Sequence, residues 1–294
     1  MQDHLVRVVS HDGLLRGVAA STTGLVKQVC EQQQTDLTAS VALGRLLTGG
    51  ALLGCLLKGR QRLALIVEGN GPLGKLSVEA DAHGRVRGKI ANPVAGLPPK
   101  DDRFDVAGAI GKAGFLHVWK DLGLKEPYQS MVQLQTSEIA EDLAWYLSSS
   151  EQVPSSLGLG VELDRSGQIA AAGGFLVQSL PPGNAEQIER LIERLQKLPP
   201  TTSMLRQGMT PRDILVKLFA EVDFRVQEEE PVVFHCPCSM EQIRQMLIGF
   251  GRDELRSLAT GELPVEVVCD YCRKVYRFSD EQLKDMIEAA GNKE

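Results

Sequence analysis

Apolar and polar positions alternate as the chain opens: Leu5 to Val9 and Leu14 to Ala20 are short β-type runs, and His11-Asp12-Gly13 between them carries the Asp-Gly pair of a hairpin turn. The period then changes. Ser21-Thr22-Thr23 offers N-cap hydroxyls to a helix reaching about Gln33, and Asp36 or Thr38 caps a longer one extending to Leu57. That second helix contains Gly44, Gly49, Gly50 and Gly54, which lower helix propensity but let a neighbouring backbone approach closely, and it reads as a central, buried helix. Strand patterns resume at Leu63 to Glu68, Lys75 to Ala82, Arg85 to Ala91, Phe115 to Trp119, Tyr128 to Gln135, Leu159 to Leu163 and Ile169 to Val177, each bounded by Gly, Pro, Asn or Asp. One helix interrupts them at about Glu138 to Ser148, where Ser137 is followed by Glu141 and Ile139, Leu143, Tyr146 and Leu147 fall at helical spacing. Long runs of strands with few helices between them predict an α+β fold, with residues 1–180 as a large β-rich body on which helices pack.

The pattern shifts at Pro181-Pro182-Gly183-Asn184. Asn184 can cap a helix whose stripe is Ile188, Leu191, Ile192, Leu195 and Leu198, and whose other face pairs Glu186 with Arg190 and Glu193 with Lys197. Pro199-Pro200 ends it, and a second short helix starts at Thr210-Pro211 and runs to about Glu221. With the acidic stretch Glu228-Glu229-Glu230-Pro231, residues 181–231 read as a helical linker region. Beyond it, Ser239 with Gln242 resembles a capping box for a helix to about Ile248, and a shorter helix fits Asp253 to Leu258. Arg273 to Phe278 reads as a strand, and Ser279 caps a last helix with Leu283, Met286 and Ile287. Residues 232–294 thus form a small C-terminal domain of 63 residues, marginal on its own apolar core.

Composition narrows the chemistry. The excess of 38 acidic over 32 basic residues, a net charge of -6, disfavours a nucleic-acid partner. The longest apolar run, Leu46 to Leu57, has 12 residues and falls short of a bilayer span, so no membrane partner is expected. Asp3 and immediate alternation replace the basic and apolar regions of a signal peptide, so a cytoplasmic location is expected. In that compartment six cysteines favour metal binding or redox chemistry over a disulfide framework.

Four of the six stand in two tight pairs. His235-Cys236-Pro237-Cys238 is a C-x-C knuckle, Cys269-Asp270-Tyr271-Cys272 a C-x-x-C knuckle, and 30 residues lie between them. Paired thiolates from two chain reversals fill the tetrahedron that zinc prefers, so Cys236, Cys238, Cys269 and Cys272 are read as the ligands of one Zn²⁺. His235, beside a complete cysteine set, reads as a bystander. Cys30 and Cys55 lie on apolar helical stretches and read as inert core residues. Loss of the metal is expected to unfold the small domain, because structural zinc supplies about 10–16 kcal/mol of apparent binding energy.

H-C-P-C, 30 residues and C-D-Y-C in a chain of this length resemble the 33-kDa chaperonin family, the redox-regulated heat-shock holdases. Ala42-Leu43-Gly44-Arg45-Leu46-Leu47, Gly69-Asn70-Gly71-Pro72-Leu73-Gly74, and Gly84-Arg85-Val86-Arg87-Gly88 leading to Asn92-Pro93 extend the resemblance over essentially the whole chain. Lys89 departs from the pattern, where an aromatic residue is commoner. The resemblance implies a non-enzymatic, ATP-independent chaperone for unfolding client proteins, silent while zinc is held by reduced cysteines. It further implies that oxidation releases the zinc and forms the disulfides Cys236 with Cys238 and Cys269 with Cys272, and that the oxidised, active form is a homodimer. Thiolates remain oxidisable by peroxide or hypochlorous acid, and each such disulfide closes a tiny loop where the metal had joined distant segments.

Other signals lack their context. Gly69 to Gly74 matches G-x-G-x-x-G but joins two strands with no helix following, so it reads as a hairpin turn. Gly111-Lys112 is followed by Ala113 and not by the hydroxyl residue of a phosphate-binding loop. The competing reading is a zinc-ribbon nucleic-acid-binding protein using Arg273, Lys274 and Arg277, against which the net charge weighs. A zinc hydrolase is weaker still, since four thiolates leave no ligand position for water.

Overall fold

The turn at Asp12-Gly13 joins β1 (His4–Ser10) to β2 (Leu15–Ser21), which pair antiparallel with Val6 opposite Ala19. In the computed structural model, which describes residues 2–98, 100, 103–183, 185–261 and 264–291, the chain forms an α+β fold of two compact units, Met1–His235 and Cys236–Glu294. In the larger unit the hairpin is followed by α1 (Thr23–Gln33) and α2 (Leu37–Gly54). Strands β3 (Arg62–Gly69), β4 (Lys75–Asp81) and β5 (Arg85–Ile90) make an antiparallel meander. After α3 (Val106–Ile110), β6 (Gly114–Asp121) pairs with β3, and β7 (Tyr128–Gln133) pairs with β6. Helix α4 (Ala140–Ser149) leads into the hairpin β8 (Ser155–Leu163) and β9 (Ile169–Ser179), whose second strand pairs with β2. Helices α5 (Ala185–Lys197), α6 (Thr201–Arg206) and α7 (Pro211–Phe219) precede β10 (Phe224–Pro231), which pairs with β1. The two-residue β11 (Val233–Phe234) runs parallel to β5. Among the described residues the strand orders are β10-β1-β2-β9-β8 and β11-β5-β4-β3-β6-β7.

Helix α2 lies between these sheets and packs on strands of both. By length and composition it is apolar enough to cross a membrane, yet 89% of its residues are buried inside the fold, which makes it the core helix of this unit. Its glycines admit side chains more than backbone: a Cβ on Gly50 would stand 2.6 Å from Cγ1 of Val78, and only Gly54 faces a main-chain oxygen. The helix ends at Gly54, one turn short of the expected Leu57, and Asp36 caps it by accepting the N–H of Ala39 at 2.8 Å. The other Asp36 oxygen accepts from Ala95 and Gly96, tying the cap to a distant loop.

At α1 and α4 the expected caps are replaced by carboxylates. Thr22 makes no cap bond, its hydroxyl instead meeting that of Thr48 at 2.7 Å. The buried Asp3 carboxylate takes its place and accepts the N–H of Leu25 at 2.7 Å. Burial outweighs these bonds and raises the Asp3 pKa. Ser137 does not cap α4; its hydroxyl donates to the carbonyl of Gly111, and Asp142 organises the helix start.

The outer face of the first sheet carries a second apolar core. Val6, Val8, Leu15, Ala19, Phe175 and Val177 from the strands meet Leu191, Met204, Ile214, Leu215, Leu218 and Phe219 from α5, α6 and α7. Gly17 makes room for the ring of Phe219, 2.5 Å from where a Cβ would stand. On α5, Leu191 and Leu195 face this core, as does Leu198 just past the helix end, while Ile192, expected on the same stripe, is exposed. Asn184, the expected cap, lies outside the described residues. The acidic stretch ending in Pro231, read from the sequence as part of a helical linker region, is strand β10, with Glu228 paired to Arg7 at 2.6 Å.

Candidate metal centre

The smaller unit grows from a hairpin and three helices. Strands β12 (Val265–Val268) and β13 (Val275–Phe278) pair antiparallel, and their connection carries Cys269 and Cys272. The N–H of Cys269 donates to the carbonyl of Lys274 at 3.0 Å and that of Arg273 to the carbonyl of Cys269 at 2.9 Å, which folds the knuckle back on itself. Arg273 takes a left-handed conformation, φ 58°, to close it. The other knuckle leads into α8 (Met240–Ile248), whose cap Ser239 accepts the N–H of Gln242 at 3.2 Å. Helices α9 (Arg252–Ala259) and α10 (Asp280–Gly291) complete the unit, and Ser279 with Gln282 forms a reciprocal cap before α10. A core of Leu247, Ile248, Leu255, Tyr276, Phe278, Leu283 and Met286 backs the knuckles.

This arrangement brings the four sequence-predicted sulfurs together. Cys236 Sγ lies 3.7 Å from Cys269 Sγ, Cys238 Sγ lies 3.3 Å from Cys272 Sγ, and all four fall within 4.8 Å of one another. A tetrahedral site with metal–sulfur bonds of about 2.3 Å has edges of about 3.8 Å, so the set fits one divalent cation. Both of these sulfur–sulfur contacts run between the knuckles. His235 is not in the set; its backbone N–H donates to Val86 at the end of β11. Burial, aided by the neighbouring thiols of Cys238 and Cys269, pushes the Cys272 thiol up to about 12. A cation entering this cluster must therefore displace protons.

Sequence reasoning placed Tyr276 only within a strand. Its ring is buried in the unit's core, and its hydroxyl donates to Cys238 Sγ at 3.1 Å. The alternation Val275-Tyr276-Arg277-Phe278, with both aromatics on the inward face, was the available sign. Of the basic residues set out for a nucleic-acid reading, Arg277 pairs with Glu266 at 2.7 Å and Lys274 lies over the Tyr276 ring. Cys30 and Cys55 are buried in the larger unit's core as expected, and burial raises both thiols, Cys55 to about 12. Gly69 to Gly74 is the β3–β4 turn, packed against the end of α3.

The family model described as Hsp33 protein matches residues 3–279. The chain belongs to the Hsp33 family. Among relatives, the Hsp33-family chain is 56% identical to a 33 kDa chaperonin of Syntrophotalea carbinolica over 98% of its own length and all of the relative's. It is 52% identical to a 33 kDa chaperonin of Geobacter sulfurreducens, covering 96% of this chain and 94% of that one. Among solved structures, the crystal structure of the 33 kDa chaperonin (heat shock protein 33 homolog) from Thermotoga maritima superposes with a TM-score of 0.92 at 34% identity, covering 99% of this chain and 100% of that one. Both of these relatives are named as chaperonins.

Proposed function

We propose that this protein is a cytoplasmic, redox-regulated, ATP-independent holdase whose switch is the thiol-bearing unit Cys236–Glu294. Zinc held by reduced Cys236, Cys238, Cys269 and Cys272 keeps it silent. Oxidation joins Cys236 to Cys238 and Cys269 to Cys272 and releases the metal. The observation that carries this reading is the convergence, within 4.8 Å, of four thiols from two knuckles that lie 30 residues apart in the sequence. Bound zinc would supply a long-range crosslink and hold the sulfurs as thiolates. The chain's own residues supply the rest: each intra-knuckle disulfide closes a loop of a few residues and leaves the knuckles unconnected, so the small core loses its organising contact.

The second apolar core supports a client surface. Cys236 follows β10 and β11 directly, and the helices over the first sheet bury a layer separate from the main core around α2. Loosening that spreads from the thiol unit into residues 181–231 would bare Phe175, Val177 and Leu15 on the sheet and Leu215 and Phe219 on α7. Such a contiguous apolar face binds unfolding polypeptides and favours pairing of two copies, hence the proposed homodimer of the oxidised form.

The test pairs two measurements on the full chain before and after peroxide at elevated temperature: released zinc, and suppression of aggregation of a thermally unfolding protein. Both should rise together. Full suppression by the reduced protein with its metal retained would sink the switch.

A further inference from the structure

Cys238 has a partner that the metal set does not require. Tyr276 is buried, with 2% of its surface exposed, and its hydroxyl points at Cys238 Sγ from 3.1 Å. The ring is fixed by β13, where Tyr276 stands opposite Val267 of β12, and by the core around it. Lys274 Nζ lies 5.1 Å from the ring centroid, where a cation draws electron density from the phenol and strengthens its O–H as a donor. A phenol with an aliphatic or purely aromatic neighbour would have needed no such alignment to fill the core.

We propose that Tyr276 is a positioning residue that restrains the reactivity of Cys238 and so sets how readily the C-x-C knuckle oxidises, an inference that rests on the thiol-switch reading above. The reaction with a peroxide shows where the restraint acts. The Cys238 thiolate attacks one peroxide oxygen, the O–O bond breaks, and the sulfur becomes a sulfenic acid while hydroxide leaves. The Cys236 thiolate then attacks that sulfur, forming the disulfide and expelling the sulfenic hydroxyl as a second hydroxide. Two electrons pass from the two thiolates to the peroxide. In the first step the attacking sulfur must give up the charge density that the Tyr276 O–H shares, so the hydrogen bond is stronger before the attack than during it and slows the step.

The test is Tyr276→Phe in the full chain, which keeps the ring and removes the hydroxyl. Zinc-loaded protein is exposed to hydrogen peroxide, quenched by alkylation and mapped by peptide mass. Loss of a hydrogen bond to a charged sulfur should make Cys238 oxidise about three- to ten-fold faster while Cys269 and Cys272 stay within about two-fold. In the cobalt-substituted reduced protein, the sulfur-to-metal charge-transfer band should move to longer wavelength. An unchanged Cys238 rate with an unchanged band overturns the proposal. So does an equal acceleration at all four cysteines, which would make the hydroxyl a fold-stabilising group only. A wild-type cobalt spectrum without sulfur charge transfer would instead bring down the metal-centre reading itself, and the two failures are told apart by that control.

Discussion

Asp142 gathers the backbone of one loop. Its carboxylate accepts N–H groups from Gln135 at 2.6 Å, Thr136 at 3.0 Å, Ser137 at 3.4 Å and Ile139 at 3.0 Å, and it is buried. Within that loop Ser137 and Ile139 adopt left-handed conformations, φ 61° and 74°, which a β-branched residue such as Ile139 rarely takes. The carboxylate is what makes the conformation affordable. Replacing Asp142 with Ala leaves several buried donors without an acceptor and should cost about 3 kcal/mol or more, read from the urea midpoint of the larger unit by tryptophan fluorescence. Asp142→Asn keeps an acceptor and should recover part of the loss. Neither this hub nor the Asp3 cap on α1 was legible in the sequence, because each links groups whose proximity the tertiary fold creates. The thiol set was legible because zinc-type spacing is a local signal that survives without knowledge of the fold.

At the scale of elements, the smaller unit joins a two-stranded hairpin to three short helices around few large apolar side chains. Such a core is too small to be robust alone, so chelation of the metal should abolish most of its helical circular dichroism while the larger unit keeps its cooperative transition. Because the Cys272 thiol is pushed up to about 12, it remains protonated across the neutral range, and lowering the pH makes the cation compete harder with protons. Apparent zinc affinity should fall by at least about ten-fold per pH unit between pH 8 and pH 6, measured by competition with a chromophoric chelator. A flat profile would mean that the ligands are not thiols that lose protons on binding. The elements missed in the sequence each lack a residue pattern, for different reasons. Three consecutive glutamates in β10 hide its strand character, since an edge strand needs only one covered face and its polar positions stay solvated. Helix α6 spans six residues between Pro200 and Gln207, too few for a helical period to emerge. Gly158 masks the first half of β8, where it accommodates the ring of Phe175. Long, strongly patterned elements such as α2 and the meander were readable because burial on defined faces writes itself into the residue types.

For the molecule as a whole, the two cores of the larger unit have different standing. The main core surrounds α2 between two sheets, whereas the second depends on three helices that cover one sheet face. Phe219, 1% exposed, is the largest side chain the helices contribute to that layer. Phe219→Ala should weaken the cover by about 3–5 kcal/mol without touching a thiol, and the reduced protein should then suppress aggregation while its zinc stays bound. If the cover loosens and the protein remains silent, this sheet face is not where clients dock.

The parallel pairing of β11 with β5 offers a gauge. The amide of Val233 donates to Gly84 at 2.9 Å and that of His235 to Val86 at 3.0 Å, immediately before the first cysteine. Deuterium uptake at these two amides after oxidation would place the melting frontier inside the larger body, and lasting protection would halt it at the knuckle.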